Sequence, residues 1–418
     1  MTKKTFRIFF QKVKNYLWHY PKGLFYHLYY GQPSKKLTII GVTGTDGKTT
    51  TTNLIHHCLQ QSGVRTGMFS TVGAKIDNKE ITLGLHTTSP DPSIVQRILK
   101  LMVNDGITHV VIEVTAHALD QFRFLGCHFK VAVITNTSHE HLDDFTTMSS
   151  YIHTKSKIFK TASLAILNKD DQSYKHILRH INTAVKTYST TQPADYLATD
   201  IKLLPKHLKF KVGGYLFETN SPFQHQTYNI LAAHAVLDSL KVPSSVIINA
   251  IKHFPEVKGR QEIVSNNLGI HCLVDFAHTP NALSSVLASL RKVTTGKLIV
   301  IFGATGGRDP SKRPIMGQVV SQIADIAIIT ADDTRNEKVE NINSQIIAGV
   351  SPENKKFIYH SIPNRQDAFN LAVKLASKGD TIVACGKGHE NTILHGKTEY
   401  PWSESEAFRT AFRHKKQT

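Results

Sequence analysis

The sequence predicts an α/β protein built on mainly parallel sheets, in two domains behind a short N-terminal segment. Three observations lead there. From Leu37 onward, short β-rich apolar runs alternate with amphipathic helical stretches. A second such region starts near Gly259. A glycine-rich turn, "GVTGTDGKTTTTN" (Gly41–Asn53), joins the first apolar run to a stretch that reads as a helix. With 418 residues the chain can bury two or three cores.

The elements follow in order. Residues 1–36 hold eight Lys or Arg and no acid. Phe6, Phe9, Phe10, Val13, Leu17 and Tyr20 recur there at helical spacing, with Lys3, Arg7, Gln11 and Lys14 between them. Pro21 is expected to end this helix or to start the next. Leu37–Ile40 precedes the glycine turn as a strand, Ser93–Gly106 reads as a glycine-closed amphipathic helix, and His109–Val114 and Val131–Asn136 read as strands. His271–Phe276, Lys297–Gly303, Ile326–Ala331 and Asp380–Gly386 supply strands to the second region. The expected division is 1–36, 37–258 and 259–418.

Composition narrows the function classes. No run approaches the length of apolar residues needed to span a membrane, and no secretory signal stands at the N-terminus. Cys58, Cys127, Cys272 and Cys385 lie too far apart for a zinc site and suit a reduced, cytoplasmic protein. The net charge of +18 suggests an anionic partner. No nucleic-acid-binding motif accompanies it, so nucleic acid is not expected. An anionic substrate or an anionic membrane surface explains the charge as well. The basic, aromatic N-terminus suits either a helix lying in a membrane interface or one packed on the protein's own surface.

The glycine turn carries chemistry. Gly41, Gly44 and Gly47 let the backbone approach phosphates, whose charge the loop amides and helix N-terminus would bind. Lys48 is placed to reach terminal phosphates and Thr49 to ligate Mg²⁺. The motif departs from a strict Walker A loop, because Val42 stands where the first glycine belongs.

This loop resembles the ATP loop of the Mur ligases, which build the peptide stem of peptidoglycan. The resemblance runs from about Tyr30 to the C-terminus. "TTSPD", "EVTAHALDQFR", "TNTSHEHLDDF", "YIHTKSKIF", "TYNILAA", "VKGRQE", "VDFAHTPNAL", "FGATGGRDPSKRP" and "GKGHE" occur in the family's order. The most similar branch adds the third residue to UDP-N-acetylmuramoyl-L-alanyl-D-glutamate. The resemblance implies a central P-loop-type ATP-binding domain and a C-terminal Rossmann-like domain. It also implies ATP-driven amide formation through an acyl phosphate, a reaction that depends on positioning and charge neutralisation.

Site residues follow from the same resemblance. Gly44, Thr45, Asp46, Gly47, Lys48, Thr49, Thr50 and Asn136 would hold ATP, with Asn229 at adenine and Arg260, Asp275 and His278 at ribose and phosphates. Thr49, Glu113, His141 and Lys155 would hold two Mg²⁺ ions, with Lys155 carbamylated. Thr87, Thr88, Thr115, Gln121 and Arg123 match positions for the muramoyl dipeptide. Arg308, Asp332, Asp333, Arg335, Gly386 and Glu390 match the pocket for the incoming amino acid. The family's "DNPR" is Asp332-Asp333-Thr334-Arg335 here, which leaves meso-diaminopimelate favoured over L-lysine because the arginine is retained. A monomer is expected.

Other departures stand out. Asp46 replaces the usual Asn, Thr115-Ala116 replaces two serines, and Lys258 replaces a proline. Only 40 residues precede Gly41, where the family places a UDP-binding domain. Three readings stay open: a nucleotide held loosely by the remaining domains, an acceptor without UDP such as a lipid-linked muramoyl peptide, and a partner protein supplying that dock. The alternatives are a related ligase acting on folate or a polyamino acid, and a nucleotide-binding scaffold without catalysis.

Overall fold

A computed structural model describes residues 10–77, 79–81, 89–137, 147–204, 207–221, 223–351 and 354–417. The chain divides into two compact units, Met1–Phe254 and Pro255–Thr418.

The first unit is built on an eleven-stranded sheet. Its strands are β1 (Thr38–Thr43), β2 (Thr66–Ser70), β3 (Gly73–Ile76), β4 (Lys79–Ile81), β5 (His109–Glu113), β6 (Phe129–Ile134), β7 (Leu164–Asn168), β8 (Ala184–Ser189), β9 (Tyr196–Leu203), β10 (Leu208–Val212) and β11 (Tyr215–Thr219). Their order is β11-β10-β9-β8-β7-β6-β1-β5-β2-β3-β4. Neighbours are parallel from β9 through β2, with antiparallel strands added at both edges. The central strands are apolar on both faces because helices cover both. Ile40, Val42, Val111, Val131 and Val133 pack with Leu54, Ile55, Ile230 and Leu231 on one side. Ile39, Val110, Ile112, Ala132 and Ile134 pack with Val95, Ile98, Leu99 and Met102 on the other.

Local signals set the helix limits. Pro92–Asn104 starts at Asp91, whose carboxylate accepts from Ser93 N at 3.1 Å. It is followed by Gly106 at φ +74°. Lys48–Gln61 carries four threonines in its first turns, poor helix formers that tertiary burial holds in place. Pro21 stands in the first turn of its helix, the second of the two outcomes expected from the sequence. A π-helical stretch, Asn15–His19, leads into the α-helix Tyr20–Tyr29, and Tyr20 N–H donates to Asn15 O. Widening the turn just ahead of Pro21 accommodates the residue that lacks a donor.

The second unit has a six-stranded sheet of β12 (Glu262–Ile263), β13 (His271–Asp275), β14 (Leu298–Phe302), β15 (Ile326–Ile329), β16 (Ile358–Ser361) and β17 (Thr381–Cys385). The order is β12-β13-β17-β14-β15-β16, parallel except for β12. A hairpin, β18 (Thr392–His395) and β19 (Thr398–Pro401), follows. All four cysteines are buried and free. Among the described residues, no helix is long and apolar enough to cross a membrane.

Candidate active site

In the first unit the C-terminal ends of β1, β5 and β6 meet where the strand order reverses, the usual place for a ligand in an open α/β sheet. The glycine turn leaves β1 there. Gly47 has φ +79°, and a Cβ on it would stand 2.3 Å from Asn229 Oδ1. Gly44 lies equally close to Thr135, so both positions exclude a side chain. Asn136 clamps the turn: its carbonyl accepts from Thr45 N at 2.9 Å and its Oδ1 from Asp46 N at 2.9 Å. Thr135 Oγ1 donates to Asp46 O at 2.6 Å.

The side chains expected at phosphate and metal converge on this turn. Lys48 Nζ folds back onto Thr45 O at 2.7 Å. Thr49 Oγ1 donates to Glu113 Oε1 at 3.2 Å. Glu113 is buried and also accepts from Thr71 N at 2.9 Å and Thr71 Oγ1 at 2.8 Å. A carboxylate beside a threonine hydroxyl is a hard-oxygen donor set suited to Mg²⁺. Helix Met148–Ser156 presents Tyr151 and Lys155, one turn apart, to the same loop. Lys155 Nζ donates to Gly44 O at 2.5 Å and lies 4.5 Å from the centroid of the Tyr151 ring. Tyr151 OH is 3.3 Å from Thr45 Oγ1. Asn229 joins from helix Gln226–Ser239, accepting from Thr51 Oγ1 at 3.4 Å. Thr50 is buried in the first turn of Lys48–Gln61.

The dipeptide residues form a second layer beside β5. Thr115 Oγ1 caps the turn that follows, accepting from Ala118 N, and donates to Ser89 Oγ at 3.2 Å. Gln121 Oε1 accepts from Arg123 Nε at 3.0 Å and Nη2 at 2.7 Å, while Arg123 Nη1 donates to Ser89 O. Burial pulls the Arg123 guanidinium below its ordinary pKa. Thr87, Thr88 and His141 lie outside the described residues. Thr71 and Ser89 were not singled out from sequence: Thr71 stands in no quoted motif, and in "TTSPD" only the two threonines were assigned.

The second unit brings its own expected residues together. Asp275 accepts from Gln261 N at 3.0 Å and Ala277 N at 2.8 Å. The Arg260 guanidinium lies 4.3 Å from the Phe276 ring centroid, and His278 Nδ1 is 2.8 Å from Phe276 O. The 386–390 loop packs against these residues so closely that a Cβ on Gly259 would meet His389 N at 2.0 Å.

The 332–335 loop shows what the departures from "DNPR" do. Asp333 Oδ1 accepts from Lys387 Nζ at 2.7 Å and from Leu394 N at 2.9 Å. Lys387 also pairs with Glu390 at 2.5 Å. Thr334 Oγ1 is 3.0 Å from His395 Nδ1. Arg335 has φ +51° and sits beside the hairpin, its carbonyl accepting from Gly396 N at 2.8 Å. Its Nε is buried with no hydrogen-bond partner among the described residues. Gly307, next to Arg308, is 3.5 Å from Arg335 Cδ by its virtual Cβ. Burial alone would raise the Asp332 pKa, but Lys387 and Arg365 hold it below the ordinary value. Burial raises the Glu390 carboxyl, with Lys387 opposing. Arg365 and Glu404 form a buried pair at 2.8 Å that sequence reading missed; Arg365 also donates to Ala331 O and Cys385 O at the ends of β15 and β17.

Comparison with known proteins bears on the family and the fold. Residues 42–237 match the family described as Mur ligase middle domain, and residues 259–388 match Mur ligase, glutamate ligase domain. A UDP-N-acetylmuramoyl-L-alanyl-D-glutamate--2,6-diaminopimelate ligase of Clostridium botulinum is 36% identical, over 88% of this chain and 77% of its own. The same-named protein of Aquifex aeolicus is 36% identical over 91% of this chain and 78% of its own. A solved structure of that ligase superposes with TM-score 0.63 at 28% identity, covering 91% of this chain and 79% of its own. Folylpolyglutamate synthase of Mycobacterium tuberculosis superposes at TM-score 0.73 with 15% identity, over 94% and 95% of the two chains, which establishes a shared fold alone.

Proposed function

The chain belongs to the Mur ligase family, and from that premise we propose that it adds the third stem-peptide residue to UDP-N-acetylmuramoyl-L-Ala-D-Glu. It is an ATP-dependent ligase that joins the D-Glu carboxylate to an amine through an acyl phosphate. The observation that carries the reading is the convergence of Lys48, Thr49, Glu113 and Lys155 on one glycine turn. The backbone amides of 44–49 and Lys48 would bind and orient the phosphates, with Thr45, Asp46 and Thr50 completing the loop. Thr49, Glu113, His141 and Lys155 would hold Mg²⁺, which when bound supplies charge neutralisation at the transferring phosphoryl group.

Further assignments belong to the same proposal. Asn136 holds the loop shape, Asn229 lies near adenine, and Arg260, Asp275 and His278 serve the nucleotide. Thr87, Thr88, Thr115, Gln121 and Arg123 serve the dipeptide. We propose that Lys155 is carbamylated, since its wholly buried amine lies at the glycine turn beside the expected Mg²⁺ donors, where the oxygens of a carbamate would serve the metal. Incubation with ¹³C-bicarbonate and carbon NMR should reveal a carbamate lost in Lys155→Ala; a wild-type spectrum without that carbon rejects the modification.

Meso-diaminopimelate is the favoured amine. It carries a second carboxylate, and the unpartnered Arg335 Nε supports a guanidinium reserved for an anion. Arg308, Asp332, Asp333, Gly386 and Glu390 would surround the same substrate. We place the enzyme in the cytoplasm, where ATP and nucleotide-linked precursors meet, and favour a monomer.

The test is phosphate release from MgATP with UDP-N-acetylmuramoyl-L-Ala-D-Glu, comparing meso-diaminopimelate, L-lysine and no amine, with products identified by mass. Tripeptide with diaminopimelate is expected. Tripeptide with lysine alone would overturn the amine assignment. ATP binding without turnover for any amine would overturn catalysis on this acceptor.

A further inference from the structure

The N-terminal helix faces the wrong way for a helix that stabilises its own protein. The residues turned inward are Asn15, Gly23 and His27. The residues turned outward include Leu17, Trp18, Leu24, Phe25, Leu28 and Tyr29, each between 40% and 75% exposed. A surface helix ordinarily does the reverse, burying its apolar stripe. Contiguous apolar exposure on this scale marks an interaction surface.

The orientation is locked by specific contacts. Asn15 Nδ2 donates to Asp120 Oδ2 at 2.7 Å, and Lys22 Nζ pairs with Asp91 at 2.7 Å. Gly23 allows an approach in which a Cβ would stand 2.9 Å from Phe122 O. Tyr16 and Tyr20 meet the Phe122 ring edge-on. A one-face rotation that buried Trp18 or Phe25 would break all of these. The aromatic face is therefore presented outward by design of the contacts beneath it.

Positive charge adjoins this face. Lys12 and Lys14 are exposed on the same helical segment. Asp120, which anchors Asn15, also pairs with Lys157 at 2.7 Å, tying the helix to a cleft lined by His153, Lys157, Lys160, Arg179 and His180. No carboxylate lines that cleft among the described residues. Lys12 is close enough for its charge to act on His153.

We propose that this helix face and the adjoining basic cleft dock the protein on an anionic phospholipid bilayer, aromatic side chains at headgroup depth and cations on lipid phosphates. Trp and Tyr beside Lys and Arg are the composition that a bilayer interface favours. Nucleic acid would engage the cations but leave Leu24, Phe25 and Leu28 in water. A second copy would set like charges against one another. This inference does not depend on the proposed reaction.

The experiment is co-sedimentation of the full-length protein with phosphatidylcholine vesicles, with and without phosphatidylglycerol, alongside light scattering. Binding is expected only with phosphatidylglycerol, falling as salt rises, with a blue shift of tryptophan fluorescence that Trp18→Phe removes, since the half-buried Trp402 packs on the core of the second unit. Lys12→Glu/Lys160→Glu/Arg179→Glu should weaken binding by about tenfold or more. Leu17→Ser/Phe25→Ser/Leu28→Ser should abolish it with an unchanged melting temperature, since these side chains are exposed. No wild-type binding overturns the proposal, as does equal binding to neutral vesicles. A stable dimer that the serine variant dissociates would overturn it too, identifying the face as an interface between copies. ATP-dependent turnover measured in the same preparations reports separately on the ligase reading.

Discussion

Two loops at the ends of parallel strands, Gly44–Lys48 in the first unit and Asp332–Arg335 in the second, have been treated differently by the same family constraints. The first keeps its glycines because the Thr135 and Asn229 side chains leave no volume for another. The second has changed two of four residues, and each newcomer has a partner: Asp333 with Lys387, and Thr334 with His395. The contrast teaches where substitution is allowed. Where the backbone itself must approach a ligand, residue identity is dictated by space. Where a side chain only holds a turn, another side chain can do so if a partner lies opposite.

The largest effect should come from the first loop. Lys48→Ala should lower kcat/KM by about 10³-fold or more, because it removes a cation from the phosphates while leaving the turn's clamps from Asn136 intact. Steady-state kinetics checks this. Near-normal activity would mean that the turn is structural, and the comparison would collapse. In the second loop, Arg335→Ala should raise KM for diaminopimelate by about 100-fold with little change in kcat, and leave any lysine use unaffected. Unchanged use of diaminopimelate would show that Arg335 serves the hairpin rather than the substrate.

Much of this was legible in the sequence, for identifiable reasons. Ile39–Val42, Val110–Ile112 and Val131–Ile134 read as strands because burial on both faces demands continuous apolar runs. The glycine turn was legible because its spacing reflects ligand geometry. The strands β9–β11 toward one end of the sheet were not, since burial on one face alone gives no continuous apolar run. Pro21 was legible as a helix start, but the π-turn before it was not, because tertiary anchoring at Asn15 sets it. The Arg365–Glu404 pair was invisible because its partners lie 39 positions apart and meet only when the helices Arg365–Leu375 and Glu404–Gln417 pack together. Thr71 escaped notice because holding Glu113 needs only a hydroxyl and an amide, available from any loop.

The two units should also part company in acid. Burial holds His56 and His234 down to about 4 from 6.5, and each has an unpaired buried ring nitrogen. The unfolded first unit therefore binds more protons between pH 6.5 and about 4, and its stability falls as pH drops through that window. The cost is of order 3 kcal/mol per histidine by pH 4. In the second unit, hydrogen bonds from Arg313 bring Glu337 down from 4.5 to about 2, so its contribution survives until pH falls below 4.5. Hydrogen exchange at stepped pH should show the first unit opening first, and His234→Phe should delay it. Earlier opening of the second unit would sink this expectation.

The smallest effect is the sharpest test of the loop comparison. If the Thr334–His395 contact does the turn-holding work of the family's proline, then His395→Ala should cost about 1 kcal/mol in the natural chain, with a matching rise in KM for diaminopimelate as Arg335 loosens. Thr334→Pro alone should be nearly neutral, because proline restricts the turn without needing a partner. Combining the two should cost less than their sum by about 0.5 kcal/mol or more, since the proline has already replaced what the histidine supplied. Thermal melting and steady-state kinetics of the four proteins complete the cycle. A strictly additive result would mean that His395 holds the hairpin for reasons unrelated to Thr334. The second loop's tolerance would then need a cause other than exchange of one partner for another.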